Sequence, residues 1–299
     1  MTPASRIVEA SDGVPLAVFT QGDPEQRPVL LVHGYPDTHR VWDTTADILA
    51  AGNDNYVIRY DVRGAGASGR PASRAGYRLD QLADDLFAVL AAVSPDRAAH
   101  VVGHDWGSIQ SWHAVTDPRA EGRIASFTTI SGPDLDHVGF WFRERLSRPS
   151  RRGLAELATQ AARSWYIAVF QLPVLAPLTW RLFLARAWPT VLRHLEGVTP
   201  RDGHPAPTLV SDAVSGIGLY RANFYAERSH GPLPRPSHVP VLLITVTGDH
   251  YVTPALAGAD LDRWVPDLTR RTLRGKHWSV LEKEEVADLI REFTLRWDA

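Results

Sequence analysis

The chain has 299 residues with 44% apolar and 22% charged side chains, the make-up of a folded globular protein rather than a disordered one. A formal net charge of −2 provides no electrostatic footprint for nucleic acid. The lack of cysteine excludes disulfides, thiolate catalysis and cysteine-ligated metal or iron–sulfur centres.

The opening MTPASRIVEASDG holds no apolar stretch of signal-peptide length, so a cytoplasmic location is expected. Ile7–Ala10 and Pro15–Thr20, separated by Ser-Asp-Gly, read as a β-hairpin. Val29–His33, Val57–Tyr60 and Ala99–Gly103 are short apolar runs suited to strands buried on both faces. Between the last two, Leu79, Leu82, Leu86, Val89, Leu90 and Val93 recur at three- and four-residue spacing, which predicts a helix over Leu79–Val93. Ser108–Val115 is helix-compatible, and Ile124–Ile130 is a further strand.

From Leu135 to Pro236 the chain is rich in Arg, Trp and Pro, with helical stretches and no convincing strand. Within it, Ser164–Thr179 carries no charge, yet it falls short of the roughly 20 apolar residues of a spanning helix. Pro173 and Pro177 also interrupt it, so a buried or pocket-lining segment is expected and no transmembrane span. Arg143, Arg145, Arg148, Arg151 and Arg152 form a basic run, read first as a solvated face and second as an attractor of anionic head groups. Alternation resumes with Val239–Val246, Thr253–Trp264, Leu268–Leu273 and a last helix carrying Val286, Leu289, Ile290, Phe293 and Trp297. This order implies an α/β protein with a mostly parallel central sheet covered by helices on both faces. Residues 1–134 and 237–299 would build that core, and 135–236 an inserted helical cap.

The sharpest chemical signal is Gly103-His104-Asp105-Trp106-Gly107, lying between a strand and a helix. A sharp strand-to-helix turn there would expose Asp105 above the sheet as a nucleophile, with glycines relieving the crowding. The competing reading is a glycine-rich turn with a helix-capping aspartate. An acid and a histidine follow in the required order. Asp249 comes just after the Val239–Val246 strand and His277 just after Leu268–Leu273, both at carboxyl ends of strands, where open α/β sheets place their sites. Asp134 and Asp136 are the alternative acids. The backbone N–H groups of Tyr35 and Trp106 would form an oxyanion hole, and Tyr35–Pro36 is a candidate cis peptide. His33, His104 and His250 flank these motifs as structural or supporting groups.

HGYPD at 33–37, DVRGAGASGRP at 61–71, GHDWGS at 103–108 and KHWSVLEKEEV at 276–286 together resemble the α/β-hydrolase-fold epoxide hydrolases, across nearly the whole chain. The nearest likeness is the hydrolase domain fused to a short-chain dehydrogenase in actinobacterial epoxide hydrolases, carried further by SFTTISGPDLDH at 126–137. By that resemblance these 299 residues are expected to correspond to the hydrolase part. Ser108 and Lys276 depart from that pattern, each standing where glycine is usual, and are expected to reshape the pocket. The resemblance implies the α/β-hydrolase fold, and it implies two cap tyrosines, Tyr166 and Tyr220, as donors to the epoxide oxygen. Without it, each would read as a packed aromatic.

An aspartate already ionised at neutral pH attacks an sp³ carbon by displacement, which suits an epoxide or an alkyl halide. Water then splits the resulting ester, with His277 as base and Asp249 orienting it. His33, Pro36, Trp165 and Phe170 are the expected substrate contacts, and the aromatic cap favours a hydrophobic epoxide. No cofactor or metal is implied, since water is the second substrate. A haloalkane-type dehalogenase is the alternative chemistry, and a non-catalytic ligand-binding protein on the same fold is the alternative of another class. The glycines of DVRGAGASG, which loosely imitate a nucleotide loop, read as a turn.

Overall fold

The computed structural model describes residues 4–224, 234–258 and 260–297. Parts of the expected core (1–3, 259, 298–299) and of the expected cap (225–233) lie outside the described residues. Eight strands form one sheet in the order β1-β2-β4-β3-β5-β6-β7-β8. They are β1 (Ala4–Glu9), β2 (Pro15–Gln21), β3 (Arg27–Val32), β4 (Asn55–Tyr60), β5 (Ala99–His104), β6 (Ile124–Ile130), β7 (Val241–Val246) and β8 (Leu268–Leu273). Only β1–β2 and β2–β4 pair antiparallel; the remaining neighbours run parallel. This is the expected α/β-hydrolase architecture.

Every residue of β3, β4 and β5 is buried, which is why these strands read as continuous apolar runs without alternation. At the edge, β8 carries the exposed Arg270 and half-exposed Arg271, charges that discourage pairing with another chain. Helices α1 (Asp43–Ala51), α2 (Leu79–Val93) and α3 (Trp106–Val115) follow β3, β4 and β5. Helix α2 has the bounds its periodicity predicts. Its buried Asp85 accepts two hydrogen bonds from the Arg63 guanidinium, which also bonds Asp12. The DVRGAGASG stretch is thereby fixed as a structural turn. Asp61 accepts the N–H groups of His39 and Ala67, and a Cβ on Gly66 would stand 2.1 Å from the Asp61 carboxylate.

Between β6 and β7 run α4 (Leu135–Ser147), α5 (Arg151–Arg163), α6 (Trp165–Phe170), α7 (Leu175–Thr179), α8 (Ala185–Val191) and α9 (Leu209–Asn223). None contributes a strand to the sheet. Two π-helical turns, Trp180–Leu184 and Leu192–Glu196, join α7 and α8 into one run that ends at Gly197 with φ 69°. Gln160 of this layer bridges to the core, donating to the Tyr251 carbonyl and accepting from Thr253 N–H and Oγ1.

Two expectations need correction. Thr253–Trp264 is not one element but a short helix, α10 (Pro254–Ala257), and a 3₁₀ turn at Leu261–Arg263. Gly258 ends the first, and Asp260 takes φ 54° before the second. The last helix, α11 (Glu284–Thr294), stops before Trp297, which packs against Phe293 from beyond its end.

Candidate active site

Asp105 sits between β5 and α3 at φ 51°, ψ −124°, a conformation a side chain seldom takes without compensating contacts. Neighbouring backbone leaves no alternative. A Cβ on Gly107 would meet the Val32 carbonyl at 2.1 Å, one on Gly103 the Ser108 Cα at 2.5 Å, and one on Gly132 the Asp105 carbonyl at 2.1 Å. The turn therefore packs only with glycine at those three places, and this lifts the carboxylate clear of the sheet.

The two oxygens of Asp105 are treated differently. Oδ2 accepts the Tyr35 backbone N–H at 2.8 Å, and the Trp106 N–H also bonds the carboxylate. Oδ1 faces His277 Nε2 at 3.7 Å. On the other side of the ring, His277 Nδ1 lies 3.0 Å from Asp249 Oδ2. Asp249 Oδ1 accepts the N–H groups of Tyr251 and Val252, at 2.7 and 3.0 Å, so the acid is clamped from both ends. Asp134, the alternative acid, is spent elsewhere, because it caps α4 by accepting the N–H groups of Asp136 and His137.

Burial pushes the Asp105 carboxyl up to about 6 against the opposing pull of His277 and the two N–H groups. Burial works against the charged form of His277, but Asp249 and Asp105 outweigh it and hold the ring at about 9. Burial also opposes the Asp249 anion, yet the charge and hydrogen bond of His277 bring that carboxyl down to about 2.

A cavity of about 660 Å³ opens over Asp105, with His277, Tyr35 and Pro36 on its floor and Tyr166, Phe170 and Tyr220 on the cap side. Tyr166 and Tyr220 pack edge-to-face with ring centroids 5.9 Å apart. Burial first, and the nearby Asp105 charge, raise both phenol pKa values, so each stays a proton donor at neutral pH. The Trp106 and Tyr220 rings pack edge-to-face with centroids 4.9 Å apart. The Tyr35–Pro36 peptide is cis, and Tyr35 Oη donates to the Ala213 carbonyl of α9.

Of the expected substrate contacts, Pro36, Trp165 and Phe170 line the cavity. His33 does not. Its Nδ1 lies 2.8 Å from the Gly34 carbonyl and its Nε2 accepts the Val62 N–H at 2.8 Å, so both ring nitrogens are committed to backbone. Ser108, too, is no pocket residue, since its buried hydroxyl donates to the Gly132 carbonyl and meets Thr129 Oγ1, both at 2.6 Å. Lys276 does touch the cap, where its ammonium donates to the Leu195 carbonyl.

Trp180 and Trp188, legible in the sequence as part of the aromatic cap, line the cavity too, and sequence reading missed Tyr251 and Glu196 beside them. Tyr251 could have been suspected from its place two residues after Asp249. Glu196 is buried and pairs with His250 Nδ1 at 3.0 Å. Among the described residues no group of three His, Asp or Glu side chains has a metal-binding arrangement.

A family model described as the alpha/beta hydrolase fold matches residues 27–153. The chain is 39% identical over 296 residues to a Mycobacterium tuberculosis protein named probable oxidoreductase EphD, covering 97% of this chain and 49% of that one. It thus spans about half the length of this relative. It is 30% identical over 258 residues to epoxide hydrolase A of Mycobacterium tuberculosis, covering 84% of this chain and 69% of that one. Among solved structures, a mutant epoxide hydrolase from Bacillus megaterium complexed with its diol product superposes with a TM-score of 0.78. It covers 97% of this chain and all of that one at 20% identity, a likeness of fold.

Proposed function

Because the chain belongs to the α/β-hydrolase-fold epoxide hydrolases, we propose that it opens a hydrophobic epoxide to a vicinal diol through an ester on Asp105. The observation that carries this reading is the pairing, across one apolar cavity, of a carboxylate whose Oδ2 is held by backbone N–H with two phenols that keep their protons.

In the first step Asp105 Oδ1 attacks an epoxide carbon, and the carbon–oxygen bond of the ring breaks. The oxygen leaves as an alkoxide and takes a proton from Tyr166 or Tyr220. In the second step water adds to the ester carbonyl carbon while His277 Nε2 takes its proton, and Asp249 stabilises the imidazolium that forms. The tetrahedral oxyanion develops on Oδ2, where the Tyr35 N–H already points, with the Trp106 N–H as the second donor of the hole. On collapse the alkyl oxygen leaves and takes the remaining proton of the added water from the new carboxyl, which releases the diol and restores the Asp105 carboxylate. The tyrosine recovers its proton from His277 through solvent.

The esterification itself would prepare the base. Asp105 is one of the anions that hold the His277 proton. Once esterified it carries no charge, and the ring's affinity for the proton falls as the second step needs.

The dehalogenase alternative loses support at Tyr35, which follows His33-Gly34 where a second side-chain N–H donor for a halide would be expected, and whose hydroxyl donates to the Ala213 carbonyl. The oxidoreductase name belongs to a relative of which this chain covers about half, and the Asp105–His277–Asp249 arrangement beneath two tyrosines supports the hydrolytic reading instead. The test is to mix a His277→Gln variant with a hydrophobic aryl epoxide and follow intact mass and peptide maps. A stable adduct of full epoxide mass on Asp105 is expected. An adduct formed only from an alkyl halide, with halide release, would establish the dehalogenase. Labelling by neither reagent, with no turnover by wild type, would leave a ligand-binding protein.

A further inference from the structure

The run from Leu175 to Glu196 has two apolar faces. Its inner face, Ala176, Thr179, Trp180, Leu184, Trp188 and Val191, lines the cavity. Its outer side presents Val174, Leu178, Leu182 and Arg186 at four-residue spacing, with Phe183 beside them 68% exposed and Val174 71% exposed. A second apolar face on a helical run is normally covered as well, and among the described residues nothing covers this one. Exposed apolar patches of this kind mark contact surfaces.

Charge selects the partner. From residue 164 to 195 there is no acidic residue, while Arg181, Arg186 and Arg193 are exposed and have no carboxylate partner among the described residues. The earlier basic run is partly neutralised, since Arg145 and Arg152 both pair with Glu156 and Arg148 with Glu144. The same surface leads into the cavity. Trp165, 66% exposed, and Leu195, 56% exposed, both also line it and so stand at its mouth. Exposed apolar side chains flanked by arginines, with an indole at the edge, have the chemistry of a segment lying in the lipid–water interface.

We propose that the outer face of the cap docks on an anionic lipid surface, bringing the mouth of the cavity to acyl chains in the bilayer. That the cavity then takes an epoxide from such a chain rests on the reading in the preceding section; the docking does not.

The test is flotation of the full chain with phosphatidylglycerol or phosphatidylcholine vesicles, alongside turnover of a water-dissolved aryl epoxide. Wild type should float with phosphatidylglycerol, less at high salt, and weakly with phosphatidylcholine. A Leu178→Ser/Leu182→Ser/Phe183→Ser variant and an Arg181→Gln/Arg186→Gln variant should both lose binding, roughly fivefold for each arginine removed. Both should keep wild-type turnover of the dissolved epoxide, which shows that they fold. Absence of wild-type flotation, or equal flotation of the variants, overturns the proposal. So does a concentration-dependent dimer that the triple variant abolishes, since the face would then join two copies. Expected flotation without epoxide turnover would leave the docking intact and remove the epoxide reading.

Discussion

His277 Nε2 stands 3.7 Å from Asp105 Oδ1, too far for a hydrogen bond and close enough for each charge to set the other's proton affinity. The two groups are electrostatically coupled before any substrate arrives, and on the proposed mechanism they serve successive steps. The two half-reactions should therefore titrate differently. Ester formation needs ionised Asp105, so its rate should rise with pH through about 6. Ester hydrolysis needs neutral His277. The ring is held at about 9 while Asp105 is charged, so in the ester its midpoint should lie below 9. Single-turnover fluorescence across pH separates the steps; a hydrolysis limb centred at 9 or above would contradict the coupling.

Tyr166 and Tyr220 both line the cavity, their rings packed edge-to-face. Replacing either by Phe should slow ester formation by about 10²-fold, and replacing both by at least about 10⁴-fold, the range of general-acid catalysis. Hydrolysis of a preformed ester should change little. Slowing of both steps equally would make the tyrosines packing residues.

Asp105 is held in the fold at a cost. Its folded pKa of about 6 lies above the usual carboxyl value, so the native state binds the proton more tightly than the unfolded chain. Destabilisation is then complete above about pH 6 and absent below about pH 4. Asp105→Asn keeps an oxygen for the Tyr35 N–H and should raise stability at pH 8 by about 2–3 kcal/mol. The gain should vanish as pH falls to about 4. Thermal unfolding at the two pH values reads this out; a pH-independent difference would exclude the charge as its cause.

Ser108 ties the first turn of α3 to the end of β6 through Gly132 and Thr129. Ser108→Ala should cost about 1–3 kcal/mol in denaturant unfolding by leaving buried oxygens short of a partner. Its KM for a dissolved epoxide should be unchanged, because the hydroxyl does not face the cavity. A shifted KM with unchanged stability would restore Ser108 to the pocket.

Asp105 and His277 could be found in the sequence because steric demand leaves a written trace. A strained turn requires Gly103 and Gly107 at fixed places, and strand ends are marked by apolar runs that stop. Helix α2 was legible for the same reason, its buried face repeating at helical spacing. The cavity wall was not. From Leu175 to Glu196 the residues are apolar on both sides, so periodicity indicates no inward face, and π-helical turns shift the register as well. Trp180, Trp188 and Glu196 therefore gave no signal of where they point. His33 misled because a histidine beside a glycine turn looks available, whereas its nitrogens close backbone gaps at Gly34 and Val62.

The grip of the Tyr35 N–H on one oxygen of Asp105 gives the enzyme an isotopic memory. If the ester breaks at its carbonyl carbon, the diol carries away Oδ1, and an oxygen from water replaces it while Oδ2 stays in place. In ¹⁸O-water the first diol released should contain no label from solvent. With the carboxylate unable to turn over between cycles, the second diol should be labelled completely; free rotation would label only half of it. Counting labelled product over the first two turnovers thus times the rotation of a single side chain against catalysis.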